Sequence, residues 1–395
     1  MLPILARAQE AAQLQITSTH YVVMNADTGD VFAQRGANDQ VAIASLTKVF
    51  TAIEALELAP LDTPITTDES DLMSADATTM GFGPGETYTL EDMLYGMLLP
   101  SGNDAAHAIA RTLGYQEGDT PEQAVDRFMA LLNQRVQDMG LKNTHLVRPD
   151  GWGVPGHYSS AADVAAFFAY AVGFPEFVKI IGTSSYTTSN GLITVTQSNK
   201  MINTYANLVG GKTGYDDDAG WCLVNLARQG DTRMIAVTLD GVAPDDWYDD
   251  NTVLLNYGFE QQAALSQANT AFSGTTIRAT DPSAAQLARS ARPGSDLAPG
   301  SGTPASAGGA IPTATPLDPV TDQTRTQAAL PPETETGEPQ ASVDSGPVWV
   351  VAIAFGLIAV TGGVTWWLRH ARSHAQARSG PVDTTDPNAE NEPDR

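Results

Sequence analysis

The sequence predicts an α/β class fold, more narrowly α+β, built from antiparallel hairpins and helices. Two hairpins are indicated where apolar runs flank a turn, one over residues 21–33 and one over residues 221–239. Helices are indicated by apolar residues at helical spacing, most clearly over residues 121–139. Residues 17–262 are long enough to form one large core, which we take as one domain.

The elements of the first half follow one another with short links. Residues 45–56 form an apolar helical run that we expect to be central and buried. Residues 60–85 show little periodicity and are predicted to be surface loops. A helix over 89–99, with Thr89 as its N-cap, is followed after a short turn by a second helix over 104–113.

The second half adds a helix, an edge strand and a closing helix. Residues 157–163 open a helix with Ser159 or Ser160 as its cap. Residues 210–215 are glycine-rich and predict an edge strand, to which a peptide can add as a further strand. Residues 253–259 are predicted to close the domain as a helix.

The composition excludes several classes of function. The formal net charge is −25, and a nucleic-acid partner needs a basic surface, so we expect no nucleic-acid binding. The single cysteine, Cys222, cannot form an internal disulfide, and its apolar neighbours predict an inert strand residue. With no cysteine and histidine cluster, we expect neither a metal site nor a cofactor.

The C-terminal part predicts attachment to a membrane. Residues 263–346 are rich in Ala, Ser, Thr, Pro and Gly and predict a disordered linker. Residues 347–368 contain an uncharged apolar run long enough to span a bilayer. Arginines follow it in residues 369–395, so that tail is predicted to be cytoplasmic and everything before the span extracytoplasmic.

The N-terminus fits this orientation only in part. Residues 1–16 are too short for a complete signal peptide, although Ala6-Arg7-Ala8 resembles the small-residue end of a cleavable one. We therefore expect residues 1–16 to be a remnant of a signal peptide. The protein is then predicted to be a single-pass protein of the cell membrane.

Ser45 and Lys48 form the first candidate catalytic pair. Three residues apart at the start of a helical run, they would place a hydroxyl and an amine on one helix face within hydrogen-bonding reach. Burial by neighbours such as Phe50 would lower the pKa of the lysine and let it act as a base. The same spacing also fits a serine N-cap beside a surface lysine, so other residues must decide.

Two later stretches favour the catalytic interpretation. Ser101-Gly102-Asn103 lies in the predicted helix-to-helix turn, and Lys212-Thr213-Gly214 lies in the predicted edge strand. The chain has only five lysines, and two of them, Lys48 and Lys212, fall in the three motifs. The order S-x-x-K, S-x-N and K-T-G is typical of the serine acyl enzymes that react with penicillin.

His157 is the histidine most easily mistaken for a catalytic base. It has beside it neither a G-x-S-x-G nucleophile elbow nor a metal-binding pattern. We therefore predict that His157 is structural.

Together with residues 143–145, 157–159 and 219–224, the three motifs resemble those of the D-alanyl-D-alanine carboxypeptidases, which are low-molecular-mass penicillin-binding proteins. The resemblance covers roughly residues 21–259. It implies a serine β-lactamase/DD-peptidase-like fold, in which helices flank an antiparallel sheet and the motifs surround one cleft. It also implies a serine-type enzyme that removes the terminal D-Ala from peptidoglycan stem peptides and that β-lactams inhibit covalently.

The same resemblance implies roles for the catalytic residues. Ser45 is expected to attack the carbonyl of the penultimate D-Ala, with Lys48 as its base. Ser101 would relay protons within the cleft.

The resemblance also implies a set of substrate-binding residues. Asn103 would bind the substrate amide and Thr213 the terminal carboxylate. Lys212 would hold positive charge in the cleft and join Ser101 in proton relay. Gly214 and Tyr215 follow in the same strand, and the backbone N–H of Tyr215 would form the oxyanion hole with that of Ser45.

The sequence departs from the family in two places. Family members often carry an arginine shortly before the closing helix, and the nearest corresponding position here is Trp247. The family also commonly has a small all-β domain after that helix, which the predicted linker replaces here.

Three alternative functions share some of these sequence features. A D,D-endopeptidase that cuts wall cross-links uses the same motifs. A class A serine β-lactamase is disfavoured because no convincing E-x-x-L-N match occurs between Leu141 and Phe174. A non-catalytic wall-binding or penicillin-binding module would bind without turnover, and the complete motif set argues against it.

Overall fold

The computed structural model describes residues 14–243 and 246–282. Its strands are, in chain order, β1 (His20–Asn25), β2 (Val31–Arg35), β3 (Pro64–Thr66), β4 (Thr87–Thr89), β5 (Ser185–Thr187), β6 (Thr194–Thr196), β7 (Leu208–Asp216), β8 (Gly220–Gln229) and β9 (Thr232–Gly241). Its α-helices are α1 (Thr47–Leu58), α2 (Leu90–Leu98), α3 (Asn103–Gly114), α4 (Pro121–Asp138), α5 (Ala161–Ala171), α6 (Pro175–Ile181), α7 (Met201–Thr204) and α8 (Asp246–Gln267).

Five strands form the main sheet in the order β2-β1-β9-β8-β7, and every neighbouring pair is antiparallel. Both predicted hairpins are therefore confirmed, as β1–β2 and as β8–β9. The glycine-rich strand β7 lies at one edge, as predicted. This edge is where the motif Lys212-Thr213-Gly214 meets the helical part of the domain.

The two faces of the sheet bury different side chains because residues alternate along each strand. Val22 and Met24 of β1 belong to the larger core, which contains most of the helices. Val23, between them, belongs to a second cluster together with Leu254 and Leu255 of α8. The sheet is thus covered by helices on both faces, which confirms the predicted antiparallel sheet flanked by helices.

Helix α1 is the central helix of the larger core. Every residue from Thr47 to Ala55 is buried, including Lys48. Phe50 stacks on Phe167 of α5, with ring centroids 4.0 Å apart. The expectation of a central, buried helix is confirmed.

Predicted helix caps are also confirmed. The Thr89 side chain accepts a hydrogen bond from the N–H of Asp92, and Asp92 bonds back to Thr89 in a capping box. Ser160, one of two predicted caps, accepts from the N–H of Asp163.

Cys222 lies fully buried in β8, and burial raises its thiol pKa to about 12.

The prediction of surface loops over residues 60–85 holds for most of the segment, which is largely exposed or half-buried and irregular, but it was wrong at several positions. Residues of this segment pair as β3 with β4, and Met80 and Phe82 are buried in the larger core. Asp71 is buried as well and forms an ion pair with Arg111 of α3. The few apolar side chains here are spaced irregularly, so periodicity does not reveal that they are buried.

The structure also differs from the predicted domain boundary at residue 262. Helix α8 continues to Gln267, beyond the predicted end at residue 259. The chain then returns to the sheet, where Val31 donates to the carbonyl of Thr275 and Ile277 donates to that of Gly29, both at 2.9 Å. The domain therefore includes a segment that composition alone assigned to the linker.

Several predictions lie outside the described residues: most of the signal-peptide remnant, the linker after residue 282, the span over 347–368 and the tail over 369–395. Within the described ranges, no single helix combines the length and the apolar composition of a membrane span. One pair does so jointly, Ala161–Ala171 with Pro175–Ile181, and the two helices meet at an angle of 113°.

Candidate active site

The predicted site residues come together around one cleft of about 840 Å³ between β7 and the helical part of the domain. Six of them line it directly: Ser45, Ser101, Asn103, Thr213, Gly214 and Tyr215. The other two, Lys48 and Lys212, are fully buried and bond to residues in that lining. All eight predicted residues therefore belong to one site.

The Lys48 amine is held by three oxygen atoms. Its Nζ lies 2.8 Å from Ser45 Oγ, 2.7 Å from Asn103 Oδ1 and 2.7 Å from the carbonyl oxygen of Asp150. Ser45 lies in a 3₁₀ turn, Ala44–Leu46, and Lys48 lies in the first turn of α1, so local helical geometry brings the pair together.

A second lysine and serine face each other across the cleft. Lys212 Nζ donates to Ser101 Oγ at 2.8 Å and to its neighbour's carbonyl, that of Thr213, at 2.7 Å. Ser101 adopts a left-handed conformation with φ 69°, which is unfavourable for a residue with a Cβ atom. This conformation places Ser101 between α2 and α3, in the predicted helix-to-helix turn.

The Ser101 turn is supported by the segment that sequence analysis assigned to surface loops. Thr78 Oγ1 donates to the Ser101 carbonyl at 2.7 Å, and the N–H of Asn103 donates to the Thr78 carbonyl at 2.9 Å. The Asp104 carboxylate accepts from the N–H groups of Met80 and Gly81. Residues 78–81 therefore hold the second motif in place.

Strand β7 approaches the nucleophile turn closely at Gly214. A Cβ atom on Gly214 would lie 3.0 Å from the backbone nitrogen of Ser45 and 3.0 Å from the carbonyl oxygen of Ile43. The glycine is needed here for close backbone approach rather than for an unusual φ. Next to it, Thr213 Oγ1 lies 3.1 Å from the Ser198 hydroxyl, and Tyr215 is half exposed in the cleft.

Burial lowers the pKa of both lysines. The pKa of Lys48 falls to about 8, because desolvation outweighs the opposing carboxylates of Asp150 and Asp104. The pKa of Lys212 falls well below its usual value, first through burial and then through the positive charge of Lys48. A buried amine with a lowered pKa is suited to accept a proton near neutral pH.

No metal site is formed by the residues that the structure describes: among them, no three His, Cys, Asp or Glu side chains are placed to hold an ion. The chemistry available in the cleft is that of two hydroxyl groups, each beside a buried amine, together with an amide and a strand edge. This combination fits nucleophilic attack on an acyl group, with proton transfer by the amines.

Comparison with known proteins agrees with this geometry. The family profile described as D-alanyl-D-alanine carboxypeptidase matches residues 7–243, which is more than half of the chain. The chain belongs to the D-alanyl-D-alanine carboxypeptidase family. The prediction from the three motifs is thereby confirmed.

Individual relatives agree with the profile. A D-alanyl-D-alanine carboxypeptidase of Bacillus subtilis is 32% identical, and the alignment covers 61% of this chain and 61% of that protein. One of Mycobacterium tuberculosis is 30% identical over 60% of this chain and 81% of its own length. The crystal structure of a Streptomyces DD-transpeptidase superposes with a TM-score of 0.59 at 29% identity, over 62% of this chain and 98% of the other.

A row of aromatic side chains lines part of the cleft of this carboxypeptidase-family member. Ring centroids are 4.3 Å apart between Tyr215 and Trp221, 5.0 Å between Trp221 and Trp247, and 3.8 Å between Trp247 and Tyr248. All four residues line the cleft. Trp247, for which the family resemblance suggested an arginine, is thus part of a stacked surface in the cleft that Thr213 also lines.

Sequence reasoning missed several contributors to this carboxypeptidase-like site. The carbonyl of Asp150 binds Lys48, but a backbone atom leaves no residue-type signal. Asp104 directly follows the motif residue Asn103, and Ser198 lies outside all three motifs, so only the fold shows their contacts. His157, in contrast, is buried and hydrogen-bonded through both ring nitrogens, as the structural interpretation predicted.

Proposed function

We propose that the protein is a serine-type D-alanyl-D-alanine carboxypeptidase that removes the terminal D-Ala from peptidoglycan stem peptides through an acyl-enzyme on Ser45. The observation that carries the proposal is the 2.8 Å contact between Ser45 Oγ and the buried amine of Lys48, at the base of an open cleft. The family and the names of its relatives support the substrate class.

The surroundings of Lys48 favour the neutral amine as the base. A neutral amine has two N–H donors and one lone pair. Asn103 Oδ1 and the Asp150 carbonyl are both acceptors, so they take the two N–H groups. The lone pair is then left facing Ser45 Oγ, where it can accept the hydroxyl proton.

Acylation follows from this arrangement. Ser45 Oγ bonds to the carbonyl carbon of the penultimate D-Ala as Lys48 takes its proton, and the C–N bond to the terminal D-Ala then breaks. The leaving amine gains a proton from the Ser101 hydroxyl, and the proton that Lys48 took from Ser45 then replaces it by way of Lys212, so that both amines end the step neutral. Water then attacks the Ser45 ester, releasing the shortened peptide and restoring the free serine.

The β7 edge is proposed to hold the substrate as an additional strand. Residues on this edge have no strand partner on the cleft side among the described strands, since the sheet ends at β7. Thr213 and Ser198 would then bind the terminal carboxylate through their adjacent hydroxyls. A β-lactam, which presents a comparable amide and carboxylate, is proposed to acylate Ser45 in the same position.

Acyl transfer to an amine is a second candidate reaction. It is favoured by the Streptomyces structure, which is named as a DD-transpeptidase and matches over 98% of its length. The two reactions share the acyl-enzyme and differ in whether water or an amine takes the acyl group. A D,D-endopeptidase differs instead in the leaving group.

The test is release of D-alanine from a synthetic peptide ending in D-Ala-D-Ala, with and without an added amino acceptor. We expect release by the wild-type chain and none by Ser45→Ala. Release that forms only the amine-linked product would favour transpeptidation. No release from a folded chain that also fails to react with penicillin would overturn the proposal.

We further propose that the enzyme acts outside the cytoplasmic membrane, anchored by residues 347–368. This rests on the sequence, namely an uncharged apolar run followed by arginines. The test is protease treatment of intact cells carrying an epitope at the C-terminus. We expect the catalytic domain to be digested and the epitope to stay protected, and an epitope digested in intact cells would contradict the orientation.

A further inference from the structure

A buried threonine lies between the nucleophile and the base, and its hydroxyl belongs to a chain of hydrogen bonds outside the cleft lining. Thr47 Oγ1 donates to the carbonyl of Ala44 at 2.8 Å and lies 2.8 Å from His157 Nε2. Thr47 is fully buried and His157 is nearly so. The mechanism above uses neither side chain.

The partners fix the direction of each hydrogen bond. The Thr47 hydroxyl has one proton, and the Ala44 carbonyl can only accept, so Thr47 donates to Ala44. His157 Nε2 must therefore carry the proton that it shares with Thr47. His157 Nδ1 accepts from the N–H of Val147 at 3.0 Å, which requires the same tautomer.

At one end of this series of hydrogen bonds lies a strained turn. Ala44, which directly precedes the nucleophile Ser45, has a φ of 45°, a left-handed conformation that is unfavourable for a residue with a Cβ atom. The turn is enclosed by Gly151, where an added Cβ would lie 2.0 Å from the Ala44 oxygen and 2.6 Å from Thr47 Oγ1. The Thr47 hydroxyl thus bonds the peptide whose conformation sets the direction of Ser45.

The other end of this series of hydrogen bonds leads to the loop that contacts the base, Lys48. Val147 begins the loop that ends at Asp150, whose carbonyl accepts from Lys48 Nζ at 2.7 Å. Thr51, one turn after Thr47, donates to the Pro149 carbonyl of the same loop at 2.7 Å. His157 is therefore linked through Thr47 to the turn that carries the nucleophile and bonds directly to the loop that orients the base.

We propose that Thr47 and His157 are positioning residues: their hydrogen bonds, from Val147 through His157 and Thr47 to Ala44, hold Ser45 and Lys48 in the geometry required for acylation. The inference rests on the proposed function, because it takes Ser45 as the nucleophile. Neither residue exchanges a proton with the substrate.

The charges around His157 are consistent with this role. Burial lowers its pKa to about 4 and outweighs the opposing carboxylate of Asp150, and the charges of Arg148 and Lys48 lower it further. His157 is accordingly neutral near pH 7 and keeps the tautomer that the chain of bonds requires. A protonated ring would place a donor at Nδ1 opposite the N–H of Val147.

The test compares Thr47→Val, which removes the hydroxyl and keeps the shape, with Thr47→Ser, which keeps the hydroxyl. The rate of acylation by a fluorescent penicillin is measured on the full chain, per folded molecule, together with kcat and KM for D-Ala release. We expect Thr47→Val to lower the acylation rate and kcat about tenfold or more with little change in KM, since small displacements of reacting groups have effects of this size. Thr47→Ser should restore most of the rate.

Two histidine variants keep the inference testable if Thr47→Val does not fold. Glutamine at position 157 can present an N–H near the place of Nε2, whereas asparagine is too short to reach Thr47. We expect His157→Gln to acylate faster than His157→Asn. Equal rates in the two folded variants would contradict a role through Thr47.

A matched control is Thr67→Val, which removes another buried hydroxyl that donates to a carbonyl, that of Gly83 at 2.6 Å. It should lower stability without changing the acylation rate of the folded protein. A wild-type rate in folded Thr47→Val would overturn the inference and leave the proposed function standing. Failure of the wild-type chain itself to be acylated would overturn both.

Discussion

The cleft contains two pairs of a buried lysine beside a serine, but the two pairs are built differently. Lys48 and Ser45 are neighbours in one turn of helix, and two further acceptors complete the contacts of the amine. Lys212 and Ser101 are 111 residues apart and come from a strand and a helix-to-helix turn. One pair depends on local geometry and the other on the whole fold.

The charges near the two lysines also differ. The carboxylates of Asp150 and Asp104 partly offset the effect of burial on the pKa of Lys48. For Lys212, the neighbouring charge is Lys48 itself, which lowers the pKa further. The two amines are equally buried, so their different roles come from their neighbours. Lys48 has a pKa near 8 and contacts the nucleophile Ser45, whereas Lys212 donates a hydrogen bond to Ser101.

Removing the amine beside the nucleophile should have the largest effect. Lys48→Met fills a similar volume without a base, and we expect acylation by penicillin to slow by about a thousandfold or more. The measurement is stopped-flow or gel-based acylation kinetics, with Lys142→Met as control because Lys142 is exposed. Near wild-type acylation in folded Lys48→Met would remove Lys48 from the mechanism.

Removing the second amine should have a smaller effect. Lys212→Met leaves Ser45 and Lys48 in place but deprives Ser101 of its donor, so we expect kcat for D-Ala release to fall roughly a hundredfold. Steady-state kinetics on a peptide ending in D-Ala-D-Ala measure this loss. If Lys212→Met proves more damaging than Lys48→Met, the assignment of base and relay would have to be exchanged.

The pH profile should reveal the base itself. Lys48 must be neutral to accept a proton, and its pKa is about 8, so kcat/KM should rise with pH and level off above that value. Below it, protonation of the amine should reduce kcat/KM about tenfold per pH unit. A profile that is flat between pH 6 and pH 8 would contradict a titrating Lys48.

The smallest effect is expected where β7 meets the nucleophile turn. Gly214→Ala would place a Cβ 3.0 Å from the backbone nitrogen of Ser45, so strand and turn must separate by a few tenths of an ångström. We expect acylation to slow roughly threefold to tenfold. Gly83→Ala is the matched control, since its Cβ would meet only the Glu86 side chain. Equal rates for both variants would show that this approach is not critical.

The comparison of the two pairs also explains what the sequence could predict. Ser45 and Lys48 are three residues apart in a helical run, so their contact follows from helix geometry alone. The partnership of Ser101 with Lys212 could be inferred only because the motif order resembles a known family. Predicted hairpins and caps likewise depend on neighbouring residues, as the Thr89 capping box shows.

The parts that were missed depend on distant contacts or on backbone atoms. Met80 and Phe82 are isolated apolar residues in a polar segment, and only tertiary packing buries them. The left-handed conformation of Ala44 could not be predicted, because the position holds neither glycine nor asparagine, the residues that usually adopt it. The Asp150 carbonyl binds Lys48 although any residue could supply that oxygen.

The most direct test of the account is to locate the covalent adduct formed with benzylpenicillin. Intact mass spectrometry of the full chain should show one added penicilloyl group, and peptide mapping should place it on Ser45. Ser45→Ala should gain no mass, and Lys48→Met should gain it only very slowly. An adduct on another residue, such as Ser101, or a chain that folds and forms no adduct, would contradict the central claim that Ser45 is the nucleophile activated by Lys48.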